Sequence, residues 1–456
     1  MISGITFREL TGGNGCSILS ASPGPELDTH GYRENEYAAT GLATRSEMTE
    51  NATIAPAGED SFTTRVLVRR PERDVDFNGT LVVEWLNVSS GTDAAPDYTY
   101  LAEELVRSGY AWAGVSAQYI GIEGGHGSVS GIDAPAPQSL AEKDPDRYAG
   151  LHHPGDAYCF DIFGVVGDAL RSPDDNHPMS ELTVRQTLAV GESQSAMALT
   201  TYANSFAAYH KVFDGILIHS RAAGDMPLGD VGSGIAVDTV FSREPTTIRD
   251  DLDIPVFIVQ TETDVLTNFQ FHRSRQPDTD RVRIWEIAGT AHADLHQIGP
   301  YEEMLGCPTP VNRGQQRFPL RAALHHLNAW AAGASTPPIA APLEVTTANG
   351  TTGFVLDDVG NVLSGVRTPC VDAPTQVLSG VVTGDLPRIC ILFGSTTDAP
   401  VDALRRRYDD ARDYLEKYHA ATDLMIADGF ALPADRDEIV ADARPDILEG
   451  IASTAP

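Results

Sequence analysis

Seven short apolar runs alternate with helix-like stretches between residues 62 and 333, and no other feature of the sequence restricts the fold as much. The runs are FTTRVLVRR (62–70), TLVVEWLN (80–87), YAWAGVSA (110–117), QTLAVG (186–191), FDGILIHS (213–220), IPVFIVQT (254–261) and RVRIWEIA (281–288). Most lack the polar–apolar alternation of a half-exposed strand, so they predict strands covered on both faces. Between them, DYTYLAEELVRSG (97–109), DAYCFDIFGVVGDALRS (156–172), SAMALTTYANSF (195–206) and GQQRFPLRAALHHLNAWAAG (314–333) carry apolar residues at helical spacing. The fold class that follows is α/β, a mostly parallel central sheet flanked by helices.

Two irregular stretches, about 118–155 and 222–250, follow strands on the edge where open α/β sheets bind ligands, and read as lid insertions. A Pro-rich break, GASTPPIAAP (333–342), ends the alternating block. The expected organisation is a catalytic domain over 1–340 and a C-terminal extension over 341–456 packed on it.

The 32 basic and 64 acidic residues leave a formal charge of −32, which repels phosphate backbones and anionic lipid, so neither nucleic acid nor membrane is an expected partner. No apolar run reaches spanning length and MISGITFREL has no basic n-region, which makes a cytoplasmic location the expectation. Cys16, Cys159, Cys307, Cys370 and Cys390 show no C-x-x-C spacing. They read as buried free thiols, with a bridge from Cys307 to Cys370 or Cys390 as the alternative. No cluster has zinc or iron spacing, and no cofactor is expected.

The chemistry is concentrated in LAVGESQSAMAL (188–199), an apolar run that breaks at a glycine and continues as a helix of small residues. A nucleophile elbow, G-x-S-x-G, needs small residues two before and two after its serine because the strand-to-helix turn is so sharp. Gly191 and Ser195 hold those places around Ser193, so Ser195 departs from the common pattern but remains small; its own expected role is packing or capping.

A serine hydroxyl needs a base within hydrogen-bond reach, and the base needs an acid to orient it. Both follow in chain order. ETDV after the sixth run offers Asp264 as the acid, with Glu262 and then Asp225 as alternatives; GTAHADLH after the seventh offers His292 as the base, with His296 ancillary. The oxyanion donors expected are the backbone of Gln194 and the loop NVSSGTD (87–93), where Ser90 and Gly91, together with Ser89, are candidates. Glu84, a carboxylate in a central strand, requires an arginine or hydrogen-bond donors. GIEGGHG (121–127) reads as a lid loop, and His219 and Arg221 as either pocket or surface residues.

VVEWLNVSSGTDAAPDY, DPDRYAGLHHPGDAYCFDIF, AVGESQSAMALTTYAN, RIWEIAGTAHAD and GNVLSGVRTPCVDAP, in this order, resemble a bacterial family described as α/β-hydrolase domain proteins, along nearly the whole chain. The resemblance implies the α/β-hydrolase fold and a serine triad on Ser193, Asp264 and His292. The expected function is hydrolysis of small-molecule carboxylic esters through an acyl-enzyme. An amidase, lactonase or acyltransferase would use the same triad, and a non-catalytic scaffold could retain the fold. Substrate preference and oligomeric state are not legible at this level.

Overall fold

A computed structural model describes residues 4–19, 24–49, 53–128, 138–171, 177–384 and 386–453. Its centre is a nine-stranded sheet formed by β1 (Thr6–Glu9), β2 (Tyr32–Met48), β3 (Ile54–Pro71), β4 (Thr80–Trp85), β5 (Ala111–Val115), β6 (Gln186–Glu192), β7 (Gly215–His219), β8 (Val256–Thr261) and β9 (Val282–Ile287), in the order 1-2-3-5-4-6-7-8-9. From β5 to β9 every neighbouring pair is parallel, while β1, β2 and β3 join as an antiparallel flank. All seven expected strands are present, each within the residues read for it or extending them.

The antiparallel pair of β1 and β2 lies ahead of the first run and is not predicted by the pattern. Strand β2, YRENEYAATGLATRSEM, places a charge on an inward position: Glu36 is buried and meets Arg65 of β3 at 3.4 Å. Arg65 also pairs with Asp93 at 2.5 Å, and Ser116 Oγ donates to the same carboxylate. A strand whose buried face carries a carboxylate does not read as apolar.

Strand β4 is buried at all six residues because helices cover both faces. On one face Val83 and Trp85 pack with Phe160, Phe163 and Val166 of the Cys159–Arg171 helix and with Met197 and Leu199 after β6. On the other, Val82, Leu188 and Leu217 meet Leu101 and Leu105 of the Pro96–Arg107 helix and Leu320, Leu324 and Leu327 of the Arg317–Ala331 helix. Glu84 finds donors rather than an arginine. It accepts from the N–H groups of Asp97 and Tyr98 and from Trp112 Nε1, at 3.1, 2.9 and 2.9 Å, and so caps the first turn of the Pro96–Arg107 helix.

Beyond residue 341 the chain returns to the sheet. Val366 bridges to β9 and joins the core with Leu432, and Gly380 O accepts from Thr263 Oγ1 at 2.6 Å. Buried charges fasten the far end. Arg321 meets Asp435 at 2.9 Å and Glu438 at 2.5 Å, Arg107 meets Asp435 at 2.6 Å, and Arg317 meets Glu438 and Asp442.

The chain's return decides the cysteines: the free-thiol reading is corrected for two of them, in favour of one of the bridges named as the alternative, and holds for the other three. Cys307 and Cys390 come within 5.6 Å at Cα and are joined as a disulfide, whereas Cys16, Cys159 and Cys370 are unbridged. Spacing could not choose between Cys370 and Cys390, because the partners lie 83 residues apart and meet only through the tail's path. Within the first expected lid, 118–155, residues 129–137 lie outside the described residues, and the rest includes a short helix, Tyr119–Glu123. The second, 222–250, carries a 3-10 turn at Val237–Ser242. Among the described residues no helix is long and apolar enough to cross a membrane.

Asp435 is fully buried and serves two guanidinium groups, so removing its carboxylate would leave Arg321 buried without part of its compensation. Asp435→Ala should lower unfolding free energy by about 3–5 kcal/mol in urea titrations. A loss below about 1 kcal/mol, the range of an exposed pair, would show that the tail is not held through this carboxylate.

Candidate active site

Strand order reverses at β4 and β6, which places the loops leaving these strands on either side of a crevice. Ser193 sits where β6 ends, with φ 60° and ψ −115°, a backbone conformation costly for a residue with a Cβ. The neighbouring residues permit it. A Cβ on Gly191 would meet Ser195 Cβ and Leu199 Cδ1 at 3.0 Å each, so the glycine gives the turn its clearance. The Ser193 N–H donates to His219 O at 2.9 Å, fixing the apex to β7. Ser195 is buried in the first turn of the Gln194–Thr201 helix, packed beneath the elbow.

His292 lies in the turn after β9, with Nε2 2.8 Å from Ser193 Oγ and Nδ1 2.6 Å from Asp264 Oδ1. With Nδ1–H donating to the carboxylate, Nε2 is the acceptor for the serine hydroxyl. Asp264 is fully buried, and its second oxygen accepts from the N–H and hydroxyl of Thr261 at 2.8 and 2.7 Å. Burial alone would raise its pKa, but the His292 and Thr261 contacts outweigh it and hold the carboxyl below its usual value. The Phe269 ring lies 4.4 Å from the imidazole and closes one side of it.

The other candidate acids are elsewhere. Glu262 accepts from the N–H groups of Gly289 and Gly380, at 2.6 and 2.8 Å, and thereby ties the turn before His292 to the C-terminal segment. Burial pushes it up to about 7 against these two bonds and the more distant Arg367. Asp225 pairs with Arg243 at 2.8 Å. His296 stacks on Tyr100 and its Nε2 meets Thr99 O at 3.3 Å.

The loop after β4 faces the elbow. Gln194 Oε1 accepts from the Val88 N–H at 3.1 Å, and Asn87 Nδ2 donates to Glu192 O at 3.0 Å, so two side-chain bonds join the loop to the strand and helix carrying Ser193. The Gln194 N–H is in the first turn of its helix, where no intrahelical acceptor exists. Ser89 and Ser90 line the cavity above Ser193, but Gly91 does not. Gly91 instead donates to Val88 O at 2.9 Å and, with φ 83°, forms the tight turn that presents the two serines. GIEGGHG is part of this support: a Cβ on Gly127 would come within 2.3 Å of the Ser89 carbonyl oxygen and the Gly91 nitrogen.

Glu192 is a residue the sequence reading passed over. It is buried, lines the cavity, and its Oε1 lies 3.5 Å from His292 Nε2. Burial, with Asp97, Asp264 and Glu84 nearby, holds it well above the usual carboxylate range. The signal available was its place beside Ser193 in GESQS. His219 and Arg221, expected either in the pocket or at the surface, are fully buried and outside the lining of the cavity above Ser193. His219 meets Asp97 at 2.9 Å, and Arg221 donates to the carbonyls of Ala222, Ala223 and Thr246. The cavity above Ser193 measures about 350 Å³, with Pro96, Ile298, Leu392 and Phe393 among its apolar walls.

A family model described as an alpha/beta hydrolase domain matches residues 7–441. The chain belongs to the α/β-hydrolase domain family. No match was found among curated proteins. Solved structures similar to it include Est1E from Butyrivibrio proteoclasticus, at 11% identity, covering 64% of this chain and 99% of that one with a TM-score of 0.30. A structure from a study of two esterases of the fungus Rhizomucor miehei, at 11% identity, covers 65% and 85% with a TM-score of 0.33. Likeness at this level decides nothing about reaction or substrate.

Because Glu262 is held near 7 in the folded state against an ordinary value of 4.5, its contribution to stability is full below pH 4.5 and is lost as pH rises through 7. The window corresponds to on the order of 3 kcal/mol. Thermal or urea unfolding between pH 5 and pH 8 should therefore show a steeper decline for the wild type than for Glu262→Gln. Parallel pH profiles would remove the assignment.

Proposed function

We propose that the protein is a serine hydrolase of carboxylic esters. The observation that carries this reading is the continuous hydrogen-bonded line from Ser193 Oγ through His292 to buried Asp264, with the serine opening into an apolar cavity. Ser193 attacks the ester carbonyl while His292 Nε2 takes its proton. The imidazolium formed is stabilised by Asp264, and the same proton passes to the leaving alcohol. Water, deprotonated by His292, then releases the acid from the acyl-enzyme.

Charge on the tetrahedral oxygen requires donors already in place. We assign these to the backbone N–H groups of Gln194 and Ser90. Gly91, expected beside them, shapes the turn instead. The triad chemistry proposed needs no metal or cofactor. The Cys307–Cys390 bridge favours an oxidising compartment over the cytoplasm expected from the N-terminal sequence.

A fluorophosphonate probe should label the wild type at Ser193, and Ser193→Ala should abolish labelling and lower p-nitrophenyl ester turnover by on the order of 10⁶. Asp264→Asn should cost about 10⁴ in kcat, through the wrong imidazole tautomer, while retaining the fold. Ester turnover that survives Ser193→Ala would refute the reading, and turnover of amides without esters would move the substrate class.

A further inference from the structure

The cavity above Ser193 has two walls from segments distant in sequence. One is the stretch after His292, contributing Gln297, Ile298 and Tyr301; the other is the C-terminal segment, contributing Ile389, Leu392 and Phe393. Neither is built to stand alone. Residues 299–305 form a 3-10 turn, Gly299–Tyr301, and a four-residue helix, Glu302–Leu305, neither with a buried residue. Ile389 and Leu392 lie on the five-residue helix Arg388–Leu392, far below the length at which a helix is stable by itself.

What joins the walls is the Cys307–Cys390 bridge. Cys307 lies two residues past the end of the Glu302–Leu305 helix, after its cap Gly306, and Cys390 lies between Ile389 and Leu392. Beneath it Phe393 packs with Ala293 and Val311, and Ile298, Leu305 and Ile389 border the same small cluster. The Ala293 N–H donates to Leu392 O at 3.1 Å, and the Asn312 N–H to Phe393 O at 2.8 Å. On its outer side Arg388 pairs with Asp238 at 2.8 Å, a pair 40% and 67% exposed and therefore weak and salt-screened, and lies 5.7 Å from the centre of the Phe241 ring. Among the described residues, no lysine or arginine lines the cavity.

We propose that Ile389, Leu392 and Phe393 form a specificity wall, set at a fixed distance by the Cys307–Cys390 bridge, that selects esters with a compact, neutral, apolar substituent. This rests on the serine-ester-hydrolase reading. The bridge sets the space and the triad does the chemistry, because Ser193, Asp264 and His292 sit on the turns after β6, β8 and β9. Opening the bridge lets the walls part, so that long substituents gain access and short ones lose little.

The test uses the full chain with two ester series: p-nitrophenyl esters from acetate to decanoate, and acetates of alcohols of increasing length. Each is measured on oxidised enzyme, on enzyme treated with a dithiol, on Cys307→Ser and on Leu392→Ala. The dithiol gives two electrons and two protons to the S–S bond and closes to its own cyclic disulfide, leaving Cys307 and Cys390 as thiols, which a thiol assay counts. Cys307 is partly exposed and so within reach of the reagent.

In at least one series the ratio of kcat/KM for the longest to the shortest ester should rise about tenfold or more on opening the bridge, the scale on which pockets discriminate single methylenes. Acetate kcat should stay within about threefold in Cys307→Ser, less than one methylene's worth of discrimination. Leu392→Ala, with its bridge intact, should raise the same ratio and keeps the test valid if Cys307→Ser does not fold. Unchanged ratios in both series, with the thiols shown to be free and Leu392→Ala equally silent, would overturn the wall while leaving the ester-hydrolase reading intact. If no ester in either series is turned over by the oxidised enzyme, the functional reading itself fails.

Discussion

A serine held at φ 60° between a strand and a helix is the constraint from which the rest of this structure follows. The turn is so tight that only small residues fit beneath it, which accounts for Gly191 and close-packed Ser195. It also requires fixed surroundings, because an elbow under strain persists only where its neighbours over-determine it. The Ser193 N–H bond to β7, the Gln194 side-chain oxygen accepting from the Val88 N–H, and Asn87 Nδ2 donating to the Glu192 backbone carbonyl are those neighbours. The first ties the serine to the end of β7, and the other two tie its flanking residues to the loop after β4.

Buried charge extends the same logic outward. Asp93 ends the loop that faces Ser193, and it is held by Arg65 and Ser116 deep in the sheet. Glu84 caps the helix that follows that loop, and Glu262 joins the turn carrying His292 to Gly380. An isolated buried carboxylate is costly, so each of these positions specifies its partners closely. Acidic groups therefore do much of the aligning around the site. The −32 formal charge of the chain is a different matter, a property of its surface and solubility.

The parallel half of the sheet and the residues around Ser193 were legible because their signals are local. Doubly covered strands are apolar throughout, and a strand-turn-helix elbow needs small residues at fixed offsets. The order of Asp264 and His292 behind strand ends was legible for the same reason. Strand β2 was not, since Glu36 on its inward face breaks the apolar pattern and its partner Arg65 lies on another strand. Asp264 is preferred over Glu262 because it lies further past the strand end, whereas the role of Glu262, joining the turn before His292 to Gly380, depends on the path of the tail. Gly91 carried the right residue type for an oxyanion loop but serves the turn. The Cys307–Cys390 bridge depends on the path of the tail, which no spacing encodes.

Covalent acylation of Ser193 during turnover is the central claim, and rapid acid quench of the enzyme with a p-nitrophenyl ester, followed by peptide mass spectrometry, tests it most directly. The account predicts a burst of nitrophenolate and an acyl mass added to the peptide containing GESQS, localised on Ser193. Steady turnover with no acylated peptide, or with the acyl group on another residue, would contradict it.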